Sequence, residues 1–394
     1  MIVFRENQAS SLRFLFLLAL ALTSLPTNAD GDMPQNPAMS SALSFDAQPI
    51  QFAIPQIGSI NVQGVVTGIG MHQTNPVNID NASLVDVSNA QVIIQKNQGL
   101  LQFYLQSGYY STPSLGTSYQ RANVQTIDSF GVVPLASISL APTRNWLFTL
   151  GKINSFGGYE NTFTFQNINI DRGLLWNQTS NVSKGMSAAY SDGDVEAAIT
   201  WNDGFYSNQL NWLGASATYH LNDKNNVSVS WTGSIKASTV DTFITPLAQN
   251  NSQITNAIYT YKSDRWLVAP YLQYTYVPKN PSIGILNSSQ TLGAALLTNY
   301  RFSNKDIGGF SLPFRFEYIS SGGNNSLGAP NLLYGVGSAA WSATLTPTYQ
   351  VGKYFLRGEL SYVQAINISP GLAFGNQGNS ANQARAMLEV GVLY

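Results

Sequence analysis

Residues 310–318 read Phe-Ser-Leu-Pro-Phe-Arg-Phe-Glu-Tyr. In an extended chain Phe310, Leu312, Phe314, Phe316 and Tyr318 fall on one side, and Ser311, Arg315 and Glu317 on the other. An aromatic face opposite one that carries arginine and glutamate suits a strand with lipid on one side and water on the other. The pattern recurs in 341–349, where Trp341, Ala343, Leu345, Pro347 and Tyr349 oppose Ser342, Thr344, Thr346 and Thr348. In 354–362, Tyr354, Leu356, Gly358, Leu360 and Tyr362 oppose Arg357, Glu359 and Ser361. In 227–232, Val227, Val229 and Trp231 oppose Ser228, Ser230 and Thr232.

Composition decides between two all-β readings of this alternation. A soluble sandwich turns its apolar faces inward and covers its outside with charge. Charged residues make up only 10% of the 394 here, against about 25% in a typical soluble domain. Aromatics reach 12%, with 20 Tyr and 7 Trp, which suits interfacial girdles. The chain therefore predicts a transmembrane antiparallel β-barrel.

Strands of about ten residues, the length of a tilted membrane strand, recur from Ser59 onward. Short turns at Asn97–Gly99, Pro142–Asn145, Ser191–Asp194, Asn222–Asn226, Ser263-Asp264, Ser303–Asp306 and Val351–Lys353 carry the residues tight hairpins need. Long Asn/Ser/Gly-rich stretches alternate with them, giving short periplasmic turns and long extracellular loops. Sixteen strands are expected, centred on 59–71, 87–97, 100–110, 132–141, 146–153, 184–190, 195–202 and 211–221, then 227–236, 254–262, 265–277, 290–301, 307–320, 338–350, 353–364 and 383–394. Fourteen or 18 also fit, because the segments at 132–141, 184–190 and 254–262 alternate weakly.

Residues 1–29 read as a signal peptide: Arg5 and Arg13, the apolar run Phe14–Leu22, and a cleavage site at Thr27-Asn28-Ala29. Residues 30–58, with Pro34, Pro37, Pro49 and Pro55, are expected to be an irregular periplasmic lead-in, and 59–394 the barrel. The chain has no cysteine, which excludes a disulfide scaffold and a thiolate metal site. A net charge of −1 without a basic stripe gives nucleic-acid binding no support. No cofactor or metal motif is visible.

Leu150-Gly151-Lys152-Ile153, then Gly157-Gly158-Tyr159-Glu160, then Asn167–Trp176 (NINIDRGLLW) resemble the OmpL-like β-barrel porins of Gram-negative outer membranes. In that family a GK-aromatic strand end precedes G-x-E and N-x-x-x-SR segments. Here Ile153 replaces the aromatic and Asp171-Arg172 the Ser-Arg. The resemblance implies a porin-like barrel in the bacterial outer membrane, in contact with its lipids, but no particular solute. The closing strand, with Leu388, Val390, Val392 and Tyr394 on one face, resembles the signal read by outer-membrane assembly machinery, with Tyr394 in place of the usual Phe. A homo-oligomer follows only by analogy with general porins.

The third long loop, 154–183, is expected to fold into the lumen, by analogy with general porins. Tyr159, Glu160, Asp171 and Arg172 would then form a constriction. Asp171 and Arg172 could equally pin the loop to the wall. On the wall, Arg315 with Glu317, Arg357 with Glu359, and Arg385 with Glu389 share inferred inward faces. They read either as a charged eyelet or as a ladder of ion pairs across strands. Balanced charges among Ser, Thr, Asn and Gln predict a passive, water-filled channel for small polar solutes or ions, with weak ion selectivity. The rival is a non-conducting structural or adhesin-like barrel. An enzyme is not expected: His72 and His220 lie at opposite rims, and neither a Gly-x-Ser-x-Gly elbow nor a His-Glu-x-x-His helix occurs.

Overall fold

The structure is a computed structural model and describes Met39, residues 42–45, 49–302 and 309–394. The expected signal peptide, about half of the lead-in and the Ser303–Asp306 turn lie outside the described residues. A short arm, β1 (Ile50–Ile54), precedes β2 (Gly58–Gln73), β3 (Ser83–Lys96), β4 (Leu101–Tyr110) and β5 (Leu135–Leu140). The sheet continues through β6 (Trp146–Asn154), β7 (Val182–Ser191), β8 (Val195–Asn202), β9 (Trp212–Asn222) and β10 (Asn225–Ser234). Next come β11 (Gln253–Lys262), β12 (Trp266–Val277), β13 (Ser289–Arg301) and β14 (Gly309–Gly323). Last are β15 (Ala339–Leu345), β16 (Thr348–Val351), β17 (Tyr354–Ile366) and β18 (Asn382–Leu393).

Sequential strands pair antiparallel, and β18 pairs with β2 (Val390 opposite Gly68), so the sheet closes. Of the 18 strands among the described residues, β1 lies outside the ring, and β15 and β16 both bridge β14 and β17 as halves of one strand. The wall is thus a closed barrel of sixteen strands. Pro347 sits at the break between β15 and β16, where a residue without an N–H interrupts the ladder.

The lead-in expected to be irregular up to residue 58 contains β1, which pairs with the start of β2 (Phe52 opposite Ile60). Pro49 and Pro55 flank this arm instead of interrupting it, and the turn uses left-handed backbone at Gln56 (φ 70°) and Gly58 (φ 101°).

Burial is inverted relative to a soluble protein. Arg315, Glu317, Arg357 and Glu359 are buried, whereas Phe316, Tyr318, Leu356 and Leu360 are exposed. Trp341 and Phe314 lie half-exposed on the same outward side. The apolar surface faces lipid, as membrane barrels require.

The inward face is less uniformly polar than the sequence suggested. Leu267, Tyr271, Leu297, Ile319 and Val363 point inward and pack into one apolar cluster. What they pack against is the third loop.

Candidate functional site in the barrel lumen

The loop between β6 and β7 leaves and returns at one point of the rim, with Asn154 opposite Val182 and the Ser155 N–H donating to Asn181 O at 3.0 Å. Its sequence holds Phe163, Phe165, Ile168, Ile170, Leu174 and Leu175, each at most 1% exposed. In a solvated loop these side chains would stay wet. Inside the barrel Ile168, Leu174 and Leu175 join the inward cluster of β12, β13, β14 and β17, while Phe163 and Phe165 pack with Val65, Ile93 and Phe355. Apolar burial, at about 25 cal/mol per Å², draws the loop in. Gly293 makes room for it: a Cβ there would lie 2.8 Å from the Leu175 side chain.

A loop so placed must have its backbone hydrogen-bonded by something other than bulk water. The wall charges do this. Glu317 accepts the Leu174 and Leu175 N–H groups at 2.9 and 3.2 Å. Glu359 accepts those of Ile170 and Asp171 at 2.5 and 2.9 Å. Arg315 donates to Asp171 O at 2.7 Å, and Arg357 to Asn167 O and Thr164 O at 3.0 and 2.8 Å. Gly173 approaches Glu317 so closely that a Cβ would lie 2.1 Å from Oε1.

Ion pairs lock the same contacts. Arg315 binds the loop's Glu160 at 2.5 Å while keeping Glu317 at 3.3 Å. Arg357 pairs with Glu389, its directly opposed neighbour on β18, at 2.5 Å. Arg385 holds both oxygens of Asp171 at 3.0 Å and reaches Ser114 O and Thr117 O in the second loop. Of the three wall pairs read along single strands, only Arg315–Glu317 is an in-strand contact. Arg357 pairs across strands, Arg385 pairs with the loop, and Glu359 serves loop N–H groups.

Within the loop, Glu160 also accepts the Gly173 N–H at 2.9 Å. Arg172 is fully buried and pairs its backbone with the second loop through Pro113 O and Leu115 N. Its guanidinium stacks on Trp176, 4.8 Å from the ring centroid, and no described residue hydrogen-bonds it.

Part of the lead-in also reaches the lumen. Leu43 is buried, Phe45 meets Phe165 edge-on with centroids 5.8 Å apart, and the Ser44 backbone exchanges two hydrogen bonds with Gln350. A single Leu and Phe among prolines carried no periodic signal, so sequence reasoning missed them. It also missed Thr164, whose hydroxyl donates to Glu389 at 2.7 Å.

Beside the loop the lumen holds a cavity. It measures about 280 Å³ and runs between the start of the loop and the wall of β9–β11. Ser216, Ser228, Ser230 and Ile258 line it on the wall side, and Asn154, Phe156, Tyr159, Glu160 and Asn161 on the loop side. Glu160 is the one charged lining residue, and its carboxylate is turned to Arg315 with 2% of the side chain exposed. This cavity is thus lined by hydroxyls, amides, aromatic edges and the Ile258 side chain. Toward the periplasmic end of the same wall, His220 Nε2 meets Glu196 Oε1 at 3.0 Å.

The family model described as "putative beta-barrel porin-2, OmpL-like" matches residues 59–394. No curated protein matches the chain. Among solved structures, the anion-selective porin from Comamonas acidovorans is 12% identical, with 85% of this chain and 99% of that one covered and a TM-score of 0.57. The outer membrane channel DcaP of Acinetobacter baumannii is 12% identical over 87% and 99%, with a TM-score of 0.55. The trimer form of OmpT from Vibrio cholerae is 11% identical over 85% and 99%, with a TM-score of 0.53.

Proposed function

From membership of the OmpL-like β-barrel porin family, to which this chain belongs, we propose a passive channel for small uncharged polar solutes with weak ion selectivity. The chain is a porin of the bacterial outer membrane. The observation that carries the finer reading is where the charges go. Arg315, Glu317, Arg357, Glu359, Arg385 and Glu389 are each at most 2% exposed and engaged with the third loop or with one another. In this reading the cavity beside the loop is the waist of the pore, and it keeps Ser216, Ser228 and Ser230 opposite Tyr159 and Asn161. A waist without exposed charge does not sort ions strongly by sign, and its hydroxyls can replace part of a polar solute's hydration.

In this reading Tyr159 borders the constriction, and Glu160, Asp171 and Arg172 serve to hold the loop. The protein acts as a channel and not as an enzyme. β18, the strand that closes the ring against β2, is the part that assembly machinery would engage. Self-association has a precedent in the trimer form of the similar Vibrio cholerae OmpT.

Purified full-length protein in a planar bilayer tests this. Small stepwise conductance with a reversal potential near zero in a KCl gradient is the expected result. A strongly ion-selective reversal potential overturns the uncharged waist. Absence of steps favours the non-conducting barrel, for which the packing of the third loop across part of the lumen is the supporting observation.

A further inference from the structure

On the outer wall, β4 to β10 enclose a concavity of about 1170 Å³ whose lining contains no charged residue. Ile138, Leu150, Met186, Ile199, Trp201 and Leu213 line it, and each is between 39% and 63% exposed. Lys152 and Lys184 continue the outward faces of β6 and β7 two residues beyond Leu150 and Met186, about 7 Å toward the long-loop rim. They are directly opposed across the strand pair. Like charges so placed destabilise a sheet, unless an anion lies between them.

The surroundings gather the two amines, and a single carboxylate offsets only part of their charge. Both lie over the Tyr206 ring, Lys184 Nζ at 3.8 Å and Lys152 Nζ at 5.4 Å from its centroid. Lys152 donates to Phe130 O and Val133 O at 2.8 and 2.7 Å, and Lys184 to the Asn208 side chain. The nearby carboxylate, Asp203, is 1% exposed and engaged by the backbone N–H groups of Lys184 and Asn208 at 2.6 and 3.1 Å. A positive patch therefore stands at the outer-leaflet level, directly above an apolar hollow.

We propose that this face docks a phosphorylated lipid of the outer leaflet, with a phosphate between Lys152 and Lys184 and acyl chains in the concavity. The charge complementarity favours an anionic amphiphile, whose charged head matches the amines and whose acyl chains match the hollow. Docking does not depend on the solute reading, because the site lies outside the lumen.

The test is native mass spectrometry of the detergent-solubilised full-length protein, titrated with bis-phosphorylated lipid A or with the same lipid after phosphatase treatment. Each lysine facing an anionic headgroup contributes roughly a fivefold affinity gain. Wild-type protein should therefore bind the phosphorylated lipid at least tenfold more tightly than the dephosphorylated one. The Lys152→Gln/Lys184→Gln variant should lose that preference while keeping wild-type conductance and its heat-modifiable band. Equal phosphate preference in the variant overturns the proposal. So does a short bis-maleimide that links two copies through Leu150→Cys in an otherwise cysteine-free chain, since another protein would then cover the face.

Discussion

Replacing Arg357 by methionine separates a wall that merely carries charge from one that holds the third loop. Arg357 is fully buried, pairs with Glu389, and donates to Thr164 O and Asn167 O. Removing it leaves Glu389 buried with only the Thr164 and Ser88 hydroxyls as donors. Breaking a buried pair from one side costs about 3–5 kcal/mol, and Asn167 O loses its guanidinium donor while Thr164 O keeps only the Asn167 N–H. The barrel need not unfold to relieve this, because undocking the loop admits water to all three groups. The cost therefore falls on the docked state, and the docked-to-undocked ratio should drop by about two to four orders of magnitude. Single-channel recording should show the wild type at one steady level and Arg357→Met flickering to a larger one. Replacing both partners, Arg357→Met with Glu389→Leu, should restore much of the steady level, since apolar replacement of a whole pair is often near neutral. Identical traces and identical melting for wild type and Arg357→Met would refute the claim that this pair holds the loop.

Gly173→Ala should destabilise the barrel by about 1–3 kcal/mol, because its Cβ would displace the Glu317 carboxylate from Leu174 and Leu175; thermal melting in detergent reads this. Ser230→Asp places a solitary charge at the waist and should move the reversal potential toward cations, whereas no shift would route ions elsewhere. Leu360→Arg puts a guanidinium on the lipid face, at the middle of β17 on a residue 65% exposed, and should cost about 2–4 kcal/mol in urea-dependent folding into vesicles.

The wall was legible in the sequence because a strand's side-chain period is two. Phe316 and Tyr318 against Arg315 and Glu317 show the two faces without knowledge of any neighbour, and the scarcity of charge says which face meets lipid. Prolines misled where position mattered: Pro49 and Pro55 border β1, and Pro347 marks the gap between β15 and β16. The third loop's polar residues were visible as candidates, but its buried Ile168, Leu174 and Leu175 were not, since a loop has no period to reveal its inner side.

The sequence alone determined an outward apolar belt, an inward polar face and the alternation of short turns with long loops, all properties of contiguous residues. Only the tertiary structure decided which partner each charge takes. Arg357 meets Glu389 because two strands 32 residues apart stand in register, and Arg385 meets Asp171 because a loop from the far side of the chain crosses the lumen. Such pairings depend on register and on closure of the ring, and local sequence encodes neither.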